Sequence, residues 1–292
     1  MTDDSPAATH AYCDALERFR GLGDRPGQAI ALCYLGGVQY ESGNYPAAAG
    51  TLAQALTLYR DLGDRLGQMN TLLWTGALQR VTGDYLAATG SLSRALELSR
   101  SLGNRLGEAN ALHYLGAVRG ATGDYAAAAS DLLLALDLFR GLGDRQGEAN
   151  ALCYLGDVQV QAGEYDAAAG SLTRALRESR QVGDRLAQAE ALTGLGRLYL
   201  ASAGPDQACA SFTEALDVAT ALQSPLHQAR ALDGIGHCRA RSGDVAAATS
   251  HLRQALEIYR RLRVPEAADV TAALASLHGR DLPVARPPAP VG

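Results

Sequence analysis

Two short glycine-rich segments have the residue types that a phosphate-binding site needs. They read GLGDRPG at residues 21–27 and GLGDRQG at residues 141–147. Glycines at this spacing let a backbone approach a pyrophosphate when they join a strand to the N-terminus of a helix. No strand-like run precedes either segment, and similar turns recur elsewhere in the chain, so we interpret both as helix stops and starts. The chain also lacks the lysine of a phosphate-binding loop, because all 26 of its basic residues are arginine.

The histidines and cysteines form no catalytic or metal-binding pattern. The five cysteines include no CxxC pair and the six histidines include no HExxH motif, so neither a zinc site nor a disulfide framework is predicted. His237 precedes Cys238, but adjacent helical residues point about 100° apart and do not share a ligand position. Serine, histidine and aspartate are plentiful without defining a triad, which is recognised by geometry. We predict no catalytic residue, no metal and no cofactor, and we keep an enzyme as an alternative.

Composition and charge restrict the class of partner. The 292 residues are 47% hydrophobic and 20% charged, with a net charge of −5 and with arginine spread along the chain. This balance favours a folded protein and disfavours nucleic acid as a direct partner. The beginning, MTDDSPAATH, is acidic and polar, and no run of about 18 apolar residues follows. We therefore expect a cytoplasmic protein without a signal peptide or a membrane partner.

The chain aligns with itself, without gaps, at a step of forty residues. Six units result, at residues 24–63, 64–103, 104–143, 144–183, 184–223 and 224–263. Small residues recur at equivalent positions in two columns: Gly36, Gly76, Gly116, Gly156, Gly196 and Gly236, then Ala55, Ala95, Ala135, Ala175, Ala215 and Ala255. Such columns indicate places where helices approach closely.

Each unit predicts two helices. Apolar residues recur at helical spacing over two stretches of a unit. A turn such as Gly123-Asp124-Tyr125 separates the two stretches, and a turn such as Leu62-Gly63-Asp64-Arg65 separates units. Glycine can adopt the left-handed conformation that ends a helix, and the next residue can cap the following one. We therefore predict antiparallel helices joined by tight turns, in which the turn tyrosines are structural: Tyr45, Tyr85, Tyr125 and Tyr165.

These residues resemble the tetratricopeptide repeat, whose pattern W-x2-L-G-x2-Y, then G-x-Y, then spaced alanines has counterparts in Leu112, Leu115-Gly116, Gly123-Asp124-Tyr125, Ala128 and Ala135. The unit is longer than the usual length of about 34 residues, and it lacks the leading Trp and the terminal Pro. The forty-residue form resembles the Pins-type adaptors and, more closely, the C-terminal arrays of actinobacterial antibiotic regulatory proteins, through the ending QALEIYRRLRVPEAADVTAALASL. The resemblance implies an all-α, right-handed superhelical solenoid of antiparallel helix pairs.

The segments outside the six units are interpreted as caps. Residues 1–23 would supply an N-terminal half repeat, and residues 264–279 a C-terminal capping helix with Val270, Leu274 and Leu277 directed inward. Terminal repeats need such caps because they cannot bury both faces. The proline-rich stretch at residues 280–292 is predicted to be a flexible tail.

Candidate binding residues lie on the first helix of each unit, on the side opposite its partner helix. If Leu112, Leu115 and Gly116 point inward, then Asn110 and its neighbours three and seven residues later point the other way. That side resembles the concave lining of tetratricopeptide arrays. Three variable columns result: Ile30, Asn70, Asn110, Asn150, Glu190 and Arg230; Cys33, Leu73, His113, Cys153, Thr193 and Asp233; Gly37, Ala77, Ala117, Asp157, Arg197 and His237.

Two kinds of side chain in this region suit a peptide ligand. An asparagine amide matches the donor and acceptor of a peptide bond, and Asn70, Asn110 and Asn150, spaced by about 10 Å, would hold about every third residue of an extended chain. The alternative is that they bond to neighbouring helices. An adjacent aromatic column either anchors ligand side chains or packs between repeats: Tyr34, Trp74, Tyr114 and Tyr154. It becomes Gly194 and Gly234, which we expect to widen or flatten the lining.

We predict a non-catalytic scaffold that binds a protein or peptide segment in the concave groove. The alternative is a sensor or regulatory domain of a bacterial transcriptional regulator, whose partner is another part of the same regulator. Chaperone-binding arrays hold a terminal carboxylate with a Lys/Asn/Arg clamp, and this chain has no lysine and places Gly37, Ala77 and Ala117 at the clamp positions. The sequence leaves the identity of the partner and the oligomeric state open.

Overall fold

The computed structural model describes residues 5–280, which form fourteen α-helices and no strand. Residues 281–292, which make up nearly all of the predicted flexible tail, lie outside the described residues. No helix in the described range is long and apolar enough to cross a membrane. The helices are α1 (Ser5–Leu22), α2 (Arg25–Glu41), α3 (Tyr45–Asp61), α4 (Arg65–Val81), α5 (Tyr85–Leu102), α6 (Arg105–Ala121), α7 (Tyr125–Leu142), α8 (Arg145–Ala162), α9 (Tyr165–Val182), α10 (Arg185–Ser202), α11 (Pro205–Ala221), α12 (Pro225–Arg241), α13 (Val245–Leu262) and α14 (Glu266–Arg280).

The helices pack in two layers. Each helix contacts the helices before and after it, and the even-numbered helices α2 to α12 also contact one another in succession. The odd-numbered helices make no comparable set of contacts among themselves. The array therefore curves with the even-numbered helices on the inside, and the predicted all-α solenoid of helix pairs is confirmed.

The glycine column explains how closely the helices of a pair approach. A Cβ atom on Gly76 would lie 2.4 Å from Leu92, and one on Gly156 would lie 2.4 Å from Leu172. These distances are shorter than any van der Waals contact, so only glycine fits, and the leucine side chain occupies the space. The prediction that this column marks helix-to-helix contact is confirmed.

The glycine-rich segments are connections between helices. Gly143 ends α7 with φ 72°, in the left-handed region, and Asp144 accepts a hydrogen bond from the amide of Gly147 at 2.9 Å. A Cβ on Gly147 would lie 2.3 Å from the ring of Phe139, so this glycine is needed for packing. The first segment repeats the arrangement, with Asp24 bonded to the Gly27 amide at 3.0 Å. The interpretation of both segments as helix stops and starts is confirmed.

The beginning and the end of the array meet. One buried cluster contains Tyr45 and Val81 from the first helices of the array and Leu262 and Val264 from the last. At the turn before α3, a Cβ on Gly43 would lie 2.9 Å from Leu262 Cδ2. We call this contact between the two ends of the array the seam. The sequence repeat did not predict it, and it places residues of α2 and α12 on the wall of one cavity, which is partly open to solvent.

The C-terminal helix contributes to the same cluster. Helix α14 buries Val270, Leu274 and Leu277, the three residues that the sequence predicted to point inward. Pro265, just before α14, lies beside the turn between α4 and α5, where a Cβ on Gly83 would be 3.3 Å away. The helix therefore covers the end of α13 and also borders the early turns of the array.

Candidate binding chamber

The inner layer encloses three adjoining cavities, which we together call the chamber. The first lobe holds about 870 Å³ of empty space and the second lobe about 1110 Å³, part of it open to solvent. A smaller side cavity lies against both. Tyr154 and Arg230 line all three cavities, so the cavities adjoin one another.

Most of the predicted groove residues line the chamber. In the first lobe these are Trp74, His113, Tyr114, Asn150, Tyr154, Glu190 and Arg230, and in the second lobe Tyr154, Asp157, Arg197, Arg230 and His237. Asn70, Asn110 and Tyr34 do not line any of the three cavities. Tyr34 is 56% exposed and its ring stacks on Tyr12 of α1 at 5.6 Å. The aromatic column therefore divides into one residue outside the chamber and three on its wall.

The three asparagines differ in their surroundings. Asn70 is exposed, Asn110 is half-buried, and Asn150 is half-buried on the wall of the first lobe. In the described part of the chain, no side-chain hydrogen bond connects any of the three to a neighbouring helix. The alternative, that these asparagines form hydrogen bonds with neighbouring helices, is therefore not observed.

The predicted middle column does not face an open groove. Cys33, Leu73, His113, Cys153 and Thr193 are all buried. The helical wheel of a single helix placed them on the free side, but adjacent inner helices pack against each other and cover that position. These five side chains are therefore buried, although His113, Cys153 and Thr193 still line cavities of the chamber.

His113 is the buried member of this column on the wall of the first lobe. Its ring is in edge-on contact with Tyr114 at 4.9 Å and with Tyr154 at 4.8 Å between centroids. Burial lowers the pKa of His113 to about 4, with Arg80 acting in the same direction and Glu190 opposing it. The imidazole is therefore neutral at pH 7 and forms part of an aromatic wall.

The two glycines that replace the aromatic column have a packing role. A Cβ on Gly194 would lie 2.5 Å from Leu172, and one on Gly234 would lie 2.3 Å from Phe212. Both positions are buried under side chains of the outer layer. The close approach of Leu172 and Phe212 accounts for both glycines, and Gly234 also lines the second lobe, so the expected widening of the lining stays a prediction.

Charged residues of the chamber pair with one another. Arg197 donates to Asp157 at 2.6 Å, and His237 lies 3.3 Å from Asp233, whose hydrogen bond raises the pKa of the histidine. Asp157 and Arg197 are forty residues apart, so two predicted groove residues from successive units neutralise each other.

A second set of pairs lies between the lobes. His227 Nε2 is 3.3 Å from Glu190 Oε1, and the Ser224 hydroxyl lies 2.8 Å from the other ring nitrogen. Burial alone would raise the pKa of Glu190, but the hydrogen bond from His227 and nearby positive charge lower it overall. Arg230 donates to Glu266 of α14 at 3.0 Å, which connects the chamber wall to the C-terminal helix.

Arg80 differs from the other chamber cations. Its Nη2 donates to the Tyr154 hydroxyl at 3.0 Å, and its guanidinium lies 5.2 Å from the centre of the Tyr154 ring. In the described part of the chain no carboxylate lies within 4.0 Å of it. Both lobes of the chamber are lined by this residue.

Several buried polar atoms on the chamber wall lack a hydrogen-bond partner within the described residues. They are Arg80 Nε, His113 Nδ1, Asp157 Oδ1 and Glu266 Oε2. Buried polar groups in native proteins are nearly always hydrogen-bonded, since leaving one unpaired costs free energy. Their concentration around one cavity shows that this part of the molecule is incompletely hydrogen-bonded.

The sequence analysis missed several polar residues of the chamber, of which five are informative. Tyr40, Glu41 and Arg80 lie on the same helix face as the predicted columns, ten or eleven residues after the first column, and extending the columns by one turn would have found them. His227 stands where earlier units have glycine or alanine, and that departure was a usable signal. Glu266 lies one repeat after Leu226, in the segment that we interpreted as a cap, so the columns were not extended to it.

The fold and the chamber define an α-solenoid that closes on itself around a polar, aromatic cavity. Tetratricopeptide repeat models match residues 187–261 and, in a second form, residues 3–62, 115–183 and 155–217. Together these matches cover well over half of the chain. The chain therefore belongs to the tetratricopeptide repeat family.

Three solved structures illustrate the similarity in fold. The apo form of RapI is 15% identical, with a TM-score of 0.70 over 89% of this chain and 93% of RapI. NprR in complex with its cognate peptide NprX is 14% identical, with a TM-score of 0.68 over 95% and 84%. A Rap protein complexed with Competence and Sporulation Factor is 14% identical, with a TM-score of 0.66 over 92% and 80%. At these identities the likeness concerns the fold alone. The comparison with curated proteins finds no match.

Proposed function

We propose that this protein is a non-catalytic scaffold that binds a segment of another protein, or a peptide, inside the chamber. The observation that carries the proposal is the set of buried polar atoms without partners around a cavity that also has aromatic walls. Aromatic rings supply contact area, and unpaired donors and acceptors supply orientation, which is the combination that peptide-binding pockets use.

The similar structures support the peptide as the class of ligand. NprR was solved with its peptide and a Rap protein with Competence and Sporulation Factor, and both have the fold of this chain. The predicted asparagine ladder is proposed here in a reduced form, in which Asn150 on the wall of the first lobe binds a peptide group of the ligand.

The test begins with a ligand screen. The purified protein is exposed to a library of synthetic octapeptides, acetylated and amidated at their ends, and retained peptides are measured by calorimetry. Asn150→Ala should weaken binding about two- to tenfold, since a net hydrogen bond contributes about 0.5–1.5 kcal/mol. Asn70→Ala is the matched control, because Asn70 is exposed outside the chamber and should leave affinity unchanged. Retention of no peptide, or equal loss in both variants, would contradict the proposal.

A second candidate function is that the array is the sensor part of a larger bacterial transcriptional regulator. The sequence after residue 253, which resembles the ending of actinobacterial antibiotic regulatory proteins, favours it. In that case the occupant of the chamber is another segment of the same regulator. Sequencing the transcript that encodes this chain tests the idea: an in-frame nucleotide-binding region would support it, and a transcript encoding only the repeats would exclude it.

A further inference from the structure

Within the described residues, Arg80 is the one cation of the chamber that has no acidic partner. Arg197 and Arg230 each donate to a carboxylate, and His227 and His237 each lie beside one. A charge removed from water without a counter-charge is unfavourable, and buried charges in proteins are normally paired. The position of Arg80 therefore requires an explanation other than the stability of the fold.

The repeat supplies no structural reason for an arginine at this place. The equivalent residues of the other units are Tyr40, Gly120, Val160, Leu200 and Ala240. None of them carries a charge, although the inner helices pack alike in every unit. The arginine is thus a feature of the second unit alone.

The groups around Arg80 are hydrogen-bond donors. Tyr40, Tyr114 and Tyr154 line the first lobe with it, and burial raises the pKa of each phenol, so their hydroxyls keep their protons. His113, which borders the same rings, is neutral at pH 7 and has Nδ1 free of a partner. A guanidinium surrounded by protonated phenols can donate hydrogen bonds to an oxyanion of a ligand, because no bound carboxylate competes for it.

The acidic residues that line this lobe do not pair with Arg80. Glu190 Oε1 lies beside His227, and Glu41 lines the lobe with a pKa that burial raises. Neither comes within ion-pair distance of Arg80 in the described part of the chain. The guanidinium Nε is buried and has no hydrogen-bond partner among the described residues.

Arg80 also stands at the junction of the two lobes. Together with Tyr154 and Arg230 it lines both. A peptide that occupies both lobes passes this point with an internal residue, whereas a terminal carboxylate at Arg80 would leave one lobe empty.

We propose that Arg80 binds the side-chain carboxylate of an internal aspartate or glutamate in the peptide segment that occupies the chamber, with Tyr154 fixing the guanidinium. This inference rests on the proposed function and adds the chemistry of one ligand residue to it. The carboxylate would supply the counter-charge that the protein itself does not provide.

The experiment uses the octapeptide library with glutamate at one position and a matched library with glutamine there. Retained glutamate peptides should bind the wild type at least tenfold more tightly than their glutamine counterparts, because hydrogen bonds between charged groups are the stronger ones. Arg80→Gln should remove that difference and leave the glutamine peptides unchanged. Arg60→Gln, at an exposed position near the end of α3, is the control and should behave as the wild type.

A thermal melt without peptide separates this role from a structural one. Arg80→Gln removes an unpaired cation, so its melting temperature should equal or exceed that of the wild type. A fall of several degrees, with equal weakening of glutamate and glutamine peptides, would show that Arg80 is structural and overturn the inference.

Two further series define the ligand group. The first series has a free C-terminal carboxylate and no acidic side chain. If these peptides bind in a way that depends on Arg80, the carboxylate is not that of an internal residue and the inference is overturned. The second series carries phosphoserine, and binding of these peptides alone, dependent on Arg80, would also overturn the inference. Tight binding that does not depend on acidic side chains in the peptide would overturn this inference while leaving the proposed function intact. If no peptide binds the wild type, both fail.

Discussion

Asp157 and Arg197 occupy the same position in successive forty-residue units, and their side chains meet at 2.6 Å. The pair connects α8 to α10 across the inner layer, next to the second lobe. Columns that vary from unit to unit therefore contact each other as well as the cavity, and variation alone does not separate ligand contacts from contacts between repeats.

This pair should show a measurable coupling energy. In a double-mutant cycle of Asp157→Asn and Arg197→Gln, we expect about 1 kcal/mol in the free energy of unfolding, because the aspartate is only 23% exposed. Urea denaturation measures it. Arg94 and Glu97, both well exposed on α5, are the matched pair and should give about 0.3 kcal/mol. Equal coupling in the two cycles would refute the distinction.

The buried imidazole of His113 should make stability depend on pH. In the unfolded chain a histidine takes up a proton near pH 6.5, whereas folded His113 stays neutral down to about pH 4. Stability is therefore unaffected by this group above about pH 7 and falls as the pH decreases from 6.5 to 4, by up to about 3 kcal/mol. The free energies of unfolding of the wild type and His113→Phe, measured at pH 7 and pH 4.5, should differ in their pH dependence. Parallel curves would contradict the burial of a neutral ring.

Two glycines in similar helices should respond in opposite ways to alanine. Gly76→Ala places a Cβ 2.4 Å from Leu92 and should cost about 1–3 kcal/mol in the free energy of unfolding. Gly50→Ala, in α3, meets no atom within 4 Å and should gain about 0.5–1 kcal/mol from the higher helix propensity of alanine. Chemical denaturation of both variants measures the sign. A neutral Gly76→Ala would mean that Leu92 can move aside without loss.

The seam should hold the array in its closed shape. Leu262→Ala removes a side chain that is buried in the seam, and we expect a loss of about 2–5 kcal/mol together with a larger radius of gyration in small-angle X-ray scattering. Leu134→Ala, on the outer helix α7 and 51% exposed, should change neither quantity. Lower stability with an unchanged radius would show that the ends are held together by other contacts.

The parts of the structure that depend on local chemistry were predictable from the sequence. The capping of α8 by Asp144 and the contact of Gly156 with Leu172 each follow from one residue type at a repeated position. The burial of Thr193 was not predicted, because a helical wheel describes one helix and ignores the next inner helix. The meeting of Gly43 with Leu262 depends on the rotation accumulated over six units, which no single unit encodes.

The seam changes how this protein resists unfolding. In an open array each repeat depends only on its neighbours, so terminal repeats fray first and the rest can remain folded. Here Gly43 near one end of the array contacts Leu262 near the other. Unfolding of either end therefore removes contacts that stabilise the other end. We expect the repeats to melt as one cooperative unit, and a partner that pulls on α14 would loosen the earliest helices without touching them.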